Sequence, residues 1–319
     1  MTMDFSRFEG EPWFQHDTEM RSPEATTALG QKLQDKVKCP IVPGATYEYL
    51  DDATPANLER EDIQVGPSLG FLYRDPARDA AAAKIVLYIH GGAFICGNGN
   101  YARFVGFNVS NKLGLPVLTV EYRLAPEHKL PAGLDDVHGF YKYLIEQRGY
   151  QPDDIVVMGD SAGGEMALAL AIRLIRLGRP TPHKVIALHP AVDVYSDTVN
   201  IRHGLVSHRD NIDTDQIFLG GLAPALHDML LPGTALDDDP EVSPICFDQP
   251  EKFPPTLIVA DDTEILLCDG LLFGEKLAKA GVDVKVHIFH YMWHDFQVFF
   301  PDIPESEVVW RECREFLGL

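Results

Sequence analysis

The fold of this chain is decided by the stretch IVVMGDSAGG, residues 155–164. Its first four residues are apolar and include two valines, a pattern that predicts a buried strand. Gly-Asp-Ser-Ala-Gly follows and leads directly into residues 165–173, which are strong helix formers. A strand that turns at once into a helix through Gly-x-Ser-x-Gly is typical of a nucleophile elbow, so the stretch predicts that Ser161 is a nucleophile.

The glycines of this motif explain how so tight a turn can form. Gly159 and Gly163 lack side chains, so strand and helix can approach where a Cβ atom would clash. We expect the turn to strain the backbone of Ser161, and the free N–H groups of the next helix to favour an oxyanion. A Gly-rich turn with a capping serine is the simpler interpretation of an isolated motif, but the strand and helix on either side favour the nucleophile.

Length and composition limit the class of protein. The 319 residues are 45% hydrophobic, which is ordinary for a globular protein, and no apolar run approaches the ~20 residues of a membrane span. The net charge of −21 argues against nucleic acid and anionic membranes as partners and leaves salt adaptation open. Five scattered cysteines without a Cys-x-x-Cys pair, and a polar N-terminus without a signal-peptide pattern, predict a cytoplasmic protein.

Strand patterns alternate with helical patterns along most of the chain. The strand patterns cover residues 47–50, 70–74, 84–90, 116–122, 155–158, 184–189, 255–260 and 284–290. The other helical patterns cover residues 22–37, 100–113, 135–148, 266–280 and 307–317, and residues 1–21 look irregular. This alternation predicts an α/β fold: a mostly parallel sheet of about eight strands with helices on both faces. It breaks between residues 193 and 249, and so long an insertion after a strand is usually functional.

A Gly-rich segment follows the strand pattern at 84–90. It reads His90-Gly91-Gly92-Ala93-Phe94, and glycines at a strand end let backbone N–H groups point inward. Acyl transfer needs such donors where a carbonyl oxygen becomes negative. We expect the Gly91, Gly92 and Ala162 amides to form this oxyanion hole, and His90 to be structural because it precedes the candidate acids in the chain.

A serine nucleophile needs a base, and the base needs a carboxylate that fixes its tautomer. His294 follows the last strand pattern, where a loop can bring its imidazole onto Ser161. Asp261, Asp262 and Glu264 follow the strand pattern at 255–260, and the order serine, acid, histidine holds for all three. Spacing alone does not select among these three carboxylates.

Together, these residues resemble the hormone-sensitive-lipase-like family of α/β-hydrolase esterases, from about residue 84 to the C-terminus. The segment at 90–94 is similar to the family's His-Gly-Gly-Gly-Phe oxyanion motif, and GDSAGG at 159–164 matches its elbow. YRLAPEH at 122–128 matches a run found in few other folds, which we expect to brace the oxyanion loop.

The resemblance also bears on the acid. The family's acid stands about thirty residues ahead of its histidine; Glu264 stands 30 ahead of His294, whereas Asp262 and Asp261 stand 32 and 33 ahead. Glu264 is therefore the preferred acid, with the two aspartates as alternatives. Asp295 occupies a position where the family more often has glycine, and we expect it to face solvent, since a carboxylate beside the base would raise its pKa.

Two further acidic residues flank the elbow serine. Asp160 precedes it, and Glu165, where the family more often has asparagine, lies in the first turn of the elbow helix. A negative charge there suits the helix dipole, and we expect both residues to be structural.

The resemblance implies a serine carboxylesterase acting on short- to medium-chain acyl esters, with no cofactor and no metal. It implies a single α/β-hydrolase domain over residues 1–319, with cap elements at about 1–45 and 193–245. It also implies a homodimer formed through the last strand or the helix beside it. The expected partner is a small-molecule ester, with no nucleic acid and no membrane span.

Two other functions stay open at this stage. An amidase, formamidase or lactonase would use the same catalytic residues, because the chemistry differs mainly in the leaving group. A non-catalytic ligand-binding module is the second alternative, since plant gibberellin receptors are similar in fold and have lost the catalytic histidine. The presence of Ser161, His294 and a candidate acid argues against it.

Overall fold

A nine-stranded sheet forms the centre of the described part of the chain. The structure is a computed structural model that describes residues 5–18, 43–48, 50, 53–79, 84–193 and 226–319. The strands are β1 Phe14–His16, β2 Glu59–Val65, β3 Ser68–Arg74, β4 Ile85–Ile89, β5 Val117–Glu121, β6 Ile155–Asp160, β7 Lys184–Leu188, β8 Thr256–Asp261 and β9 Val284–Phe289. Their order in the sheet is β1-β9-β8-β7-β6-β4-β5-β3-β2.

The sheet is mostly parallel, as the alternating pattern predicts. Every neighbouring pair from β1 across to β5 is parallel, and only β3 and β2 run antiparallel to their neighbours. All residues of β4, β6 and β8 are buried, as expected of strands covered on both faces. The α/β-hydrolase-like sheet expected from the sequence is therefore confirmed.

The two outermost strands differ from the sequence-based expectation. Phe14–His16 lies in a region expected to be irregular, yet it pairs with residues 286–288 of β9. Glu59–Val65 is rich in charged residues, which are depleted in strands, and it forms the other edge, where those side chains face water. Tyr47, by contrast, does not lie in a strand. These edge strands form because each pairs with a neighbouring strand. Local sequence does not encode that pairing.

The position of β1 also bears on the expected homodimer. Because β1 pairs with β9 at residues 286–288, this chain's own N-terminal strand occupies that edge. The last strand is therefore not a free edge at those positions.

The helices pack on both faces of the sheet. They are α1 Pro76–Asp79, α2 Asn100–Leu113, α3 Ala132–Glu146, α4 Ala162–Arg176, α5 Leu226–Leu230, α6 Leu267–Lys279, α7 Phe296–Phe299 and α8 Pro304–Leu317. The expected helix at 22–37 and most of the expected cap segment at 193–245 lie outside the described residues. Among the described helices, none combines the length and apolar character needed to cross a bilayer.

Close backbone packing forms the junction of β6 and α4. A Cβ atom at Gly159 would lie 2.3 Å from the carbonyl oxygen of Gly163, and one at Gly163 would lie 2.0 Å from that of Ile89. Only glycine fits these two positions. Because β6 to β9 are parallel neighbours, the loops that follow them meet at one edge of the sheet, where ligand sites of open α/β sheets form.

Candidate active site

Ser161 lies at the carboxyl end of β6 and occupies the N-cap position of α4. Its φ of 53° and ψ of −120° place it in a sparsely populated region for a residue with a side chain, as the elbow motif predicts. Its N–H donates to the carbonyl oxygen of Leu188 at 2.8 Å. A Cβ atom at Gly91 would lie 3.1 Å from the Ser161 Cβ, so the Gly-rich loop is next to this serine.

Of the three candidate acids, Glu264 is the one that contacts His294. Its Oε2 lies 2.6 Å from His294 Nδ1, and both side chains are almost fully buried. Asp261 Oδ2 instead accepts the N–H of Met292 at 2.7 Å, and Asp262 Oδ2 lies 2.5 Å from His290 Nδ1. The structure therefore brings Glu264 and His294 together and directs the two aspartates to other partners.

The second oxygen of Glu264 is also held in place. Oε1 accepts the N–H of Asp261 at 2.8 Å and lies 2.8 Å from His189 Nδ1. Burial by itself would raise the pKa of Glu264, but His189 and His294 outweigh burial and lower the pKa to about 2. The carboxylate is therefore ionised throughout the neutral pH range.

His189 is a residue of this site to which the sequence analysis assigned no role. It follows β7 directly, its side chain is fully buried, and its Nε2 lies 2.9 Å from Gln297 Oε1. Burial lowers the pKa of His189, yet the neighbouring Glu264 carboxylate leaves it above its ordinary value. The position of His189 could have indicated its role. It directly follows β7, which pairs with β8, so its side chain is expected near the acid that follows β8.

Asp295 does not face solvent, and that expectation is wrong. The residue is 3% exposed, and its Oδ2 lies 3.2 Å from His294 Nε2. Its φ of 57° is left-handed, a conformation that glycine adopts readily and aspartate tolerates; here the start of α7 turns the carboxylate towards the imidazole.

Both ring nitrogens of His294 therefore face carboxylates. Burial by itself would lower the pKa of His294, but Asp295 and then Glu264 outweigh it and raise the pKa well above its ordinary value. The two carboxylates therefore stabilise the protonated imidazole relative to the neutral form that a general base requires.

The Gly-rich loop differs from expectation at one amide. Gly91 N–H donates to Asp160 Oδ2 at 2.9 Å, so this amide is already engaged. Within the described part of the chain, the next two amides, those of Gly92 and Ala93, have no hydrogen-bond acceptor. Because Asp160 accepts the Gly91 N–H, that amide is engaged, whereas those of Gly92 and Ala93 remain available as donors.

Asp160 anchors this loop and is structural, as expected. It is fully buried and accepts hydrogen bonds from the hydroxyl groups of Tyr88 at 2.7 Å and Tyr101 at 2.6 Å. Burial and the nearby charge of Asp295 raise the pKa of Asp160 to about 7, against the lowering effect of its donors. Hydrogen bonds from Gly91, Tyr88 and Tyr101 thus fix the Asp160 carboxyl group beside the loop.

His90 also supports the loop. Its Nδ1 lies 2.6 Å from the carbonyl oxygen of Gly91, and its Nε2 lies 2.9 Å from Asn98 Oδ1. Tyr122, from the YRLAPEH run, donates its hydroxyl proton to the His90 carbonyl at 2.9 Å. Burial lowers the pKa of His90 to about 4, so a neutral, fully hydrogen-bonded ring holds the loop.

Comparisons with known proteins identify the fold and the class of enzyme. A family model described as alpha/beta hydrolase fold matches residues 86–298. An esterase of Acinetobacter venetianus is 31% identical over 278 residues, which cover 86% of this chain and 89% of the relative. The carboxylesterase/phospholipase LipF of Mycobacterium tuberculosis is 37% identical over 265 residues, covering 81% of this chain and 68% of LipF. A crystal structure of an esterase from the bacterial hormone-sensitive lipase family gives a TM-score of 0.73 at 26% identity, covering 94% of this chain and 92% of that one.

Proposed function

Because this chain belongs to the hormone-sensitive-lipase-like esterases of the α/β-hydrolase fold, we propose that it cleaves short- to medium-chain acyl esters with Ser161, His294 and Glu264. It is a carboxylic ester hydrolase; the residue roles and the acyl-chain range are the proposed part. The observation that carries the residue roles is the 2.6 Å contact between Glu264 Oε2 and His294 Nδ1, at the sheet edge where β6 presents Ser161.

The reaction begins at the serine hydroxyl. Ser161 Oγ attacks the ester carbonyl carbon while His294 Nε2 accepts its proton, and the Glu264 carboxylate stabilises the resulting imidazolium through Nδ1. His294 then protonates the departing alcohol, which leaves an acyl group on Ser161. A water molecule, deprotonated by the same imidazole, releases the acid and restores the serine.

The negative oxygen of the tetrahedral intermediate needs N–H donors. We assign these to the amides of Gly92, Ala93 and Ala162. Gly92 and Ala93 follow Gly91, which adjoins Ser161, and Ala162 is the first residue of α4, where an amide has no partner within the helix. Asp160 supports this assignment, because it holds Gly91 N–H and so fixes the turn from which the next two amides project.

A panel of nitrophenyl esters tests the acyl-chain range. We expect kcat/KM to be highest between acetate and octanoate and at least about tenfold lower for palmitate, because each misfitted methylene costs binding energy. The anilide of the preferred acyl group should react more slowly than its ester. Preference for palmitate would contradict the chain-length proposal, and preference for the anilide would favour an amidase.

Replacing Asp295 with asparagine is expected to move the acid limb of the kcat/KM profile to lower pH by about 1–3 units. The sign follows from the contact: a carboxylate 3.2 Å from His294 Nε2 stabilises the protonated base, and activity requires the neutral base. Asparagine keeps the size of the side chain and tolerates the left-handed backbone. Glu264, which contacts His294 at Nδ1, is unchanged in this variant.

The control for this variant is Asp302→Asn. It removes the same unit of charge from a side chain that is 87% exposed and paired with Lys112, so the acid limb should stay where it is in the wild type. An unchanged acid limb in Asp295→Asn would show that the carboxylate does not act on the base.

Two expectations remain predictions: the homodimer that the resemblance implies, and the cytoplasmic location that the cysteine pattern and the polar N-terminus predict. Since β1 occupies the edge of β9 at residues 286–288, a dimer would use α8 beside it more readily than the strand. The cap expected at about 1–45 and 193–245 also stays a prediction: most of these residues lie outside the described part of the chain, and residues 14–16 form β1 of the sheet.

A further inference from the structure

A second group of histidines and a carboxylate lies at the same end of the sheet, away from Ser161. His16 ends β1, Asp262 directly follows β8, and His290 directly follows β9. These three strands are neighbours in the order β1-β9-β8 and run parallel, so their carboxyl ends meet. The sheet topology therefore brings together three side chains that are up to 274 positions apart in the chain.

The potential ligand atoms of this group converge on one point. His16 Nε2 lies 3.2 Å from Asp262 Oδ2, and His290 Nδ1 lies 2.5 Å from the same oxygen. All three atoms lie within 4.8 Å of one another. The other oxygen of Asp262 accepts the N–H of Tyr291 at 3.1 Å, which turns Oδ2 towards the imidazoles. Hydrogen bonds to the oxygen of a carboxylate that does not bind the metal commonly orient the oxygen that does.

We propose that His16, Asp262 and His290 bind a divalent transition metal ion of the zinc type. Two imidazole nitrogens and one carboxylate oxygen suit Zn²⁺, Co²⁺ or Ni²⁺, whereas Ca²⁺ and Mg²⁺ prefer oxygen ligands alone. Ligands about 2.0–2.2 Å from Zn²⁺ in tetrahedral geometry stand roughly 3.3 Å apart. The His16 contact matches that spacing, and His290 needs to move by less than about 1 Å.

The surroundings also suit a metal ion. The three side chains are 16%, 8% and 25% exposed, so an ion can enter and a water molecule can complete the coordination. The net charge of −21 raises the local concentration of cations around the protein. The buried group of His189, His294 and Asp295 differs, because both histidines share Glu264 and belong to the esterase site.

A metal ion here would join three segments of the chain. Asp262 lies two residues before Glu264, and His290 lies four residues before His294. Asp261 and Thr263 already tie these two loops together through the backbone of Met292. The ion would add a link from both loops to the N-terminal strand, and it would therefore stabilise the segments that carry the acid and the base.

Calorimetric titration with Zn²⁺ tests the site, using the full chain freed of metal by a chelator and kept near physiological ionic strength. We expect one saturable site with a dissociation constant in the micromolar range or below. His16→Gln and Asp262→Asn should each weaken binding by at least about tenfold, since even outer-shell changes cost that much. Co²⁺ bound at the same site should give a visible absorption band that both variants lose, and Zn²⁺ should raise the unfolding temperature of the wild type.

Two controls separate this site from other histidines. His183→Gln removes a histidine paired with Asp153 before β7, at the other end of the sheet, and should leave Zn²⁺ affinity unchanged. Asp295→Asn removes the carboxylate from the buried group of His189, His294 and Asp295 and should also leave the Zn²⁺ affinity unchanged. The proposal is overturned if the wild type shows no saturable binding up to millimolar Zn²⁺, if His16→Gln and Asp262→Asn bind as the wild type does, or if only Asp295→Asn weakens binding. None of these readouts depends on esterase activity.

Discussion

Replacing Ser161 with alanine is expected to lower kcat for a short nitrophenyl ester by about 10⁴-fold or more. The serine oxygen forms the bond that splits ester hydrolysis into two easier steps, and alanine offers no atom for that bond. Binding should change little, because the Gly-rich loop, Asp160 and the elbow backbone stay as they are. Loss of kcat with an almost unchanged KM is therefore the expected result.

A second buried serine provides the matched control. Ser110 lies in α2, and its hydroxyl donates to the carbonyl oxygen of Leu115 at 2.9 Å, away from the site. Ser110→Ala should retain activity within a few-fold of the wild type. A fluorophosphonate probe should label the wild type and Ser110→Ala but not Ser161→Ala. Activity of Ser161→Ala within tenfold of the wild type would overturn the assignment of the nucleophile.

Replacing Glu264 with glutamine is expected to lower kcat by about 10³–10⁴-fold. The carboxylate lies 2.6 Å from His294 Nδ1, and two neighbouring histidines outweigh the effect of burial and lower its pKa to about 2, so it is ionised. Glutamine is close in shape but carries no charge, so the imidazolium formed during attack loses its partner. The amide of glutamine also permits the wrong tautomer of His294.

The chain offers a control that matches the chemistry of this contact. Glu312 is largely buried and lies 2.8 Å from His287 Nδ1, outside the site, so Glu312→Gln should leave kcat nearly unchanged. Asp261→Asn and Asp262→Asn address the other two carboxylates considered from the sequence. A larger loss of kcat in either of these than in Glu264→Gln would show that the acid had been assigned wrongly.

Local sequence was sufficient to predict the structural elements whose conformation depends on residues next to one another in the chain. The Gly-x-Ser-x-Gly motif predicted the turn at Ser161, and the structure gives its physical basis: Cβ atoms at Gly159 and Gly163 would clash with backbone oxygens. The buried strands β4 to β9 were predicted within about two residues of their observed bounds, because a continuous apolar run is what a doubly covered strand requires. The parallel sheet followed from the alternation of strands and helices.

Contacts between distant segments were decided by the tertiary structure. Asp295 was expected in solvent, yet a left-handed backbone at the start of α7 turns it onto His294. Asp160 accepts the Gly91 N–H, and His189 shares Glu264 with His294; both contacts join residues that are far apart in the chain. The edge strands β1 and β2 likewise exist because a neighbouring strand supplies their hydrogen bonds.

The sequence by itself thus determined the fold class, and it predicted the nucleophile and the order in which acid and base follow it. Those features depend on periodicity and on residues next to one another in the chain. Only the tertiary structure decided which carboxylate contacts His294 and which backbone amides are free for an oxyanion. These depend on the order of strands in the sheet and on the paths of the loops between them, because a side chain's partners are fixed by its distance in space and not by its distance along the chain.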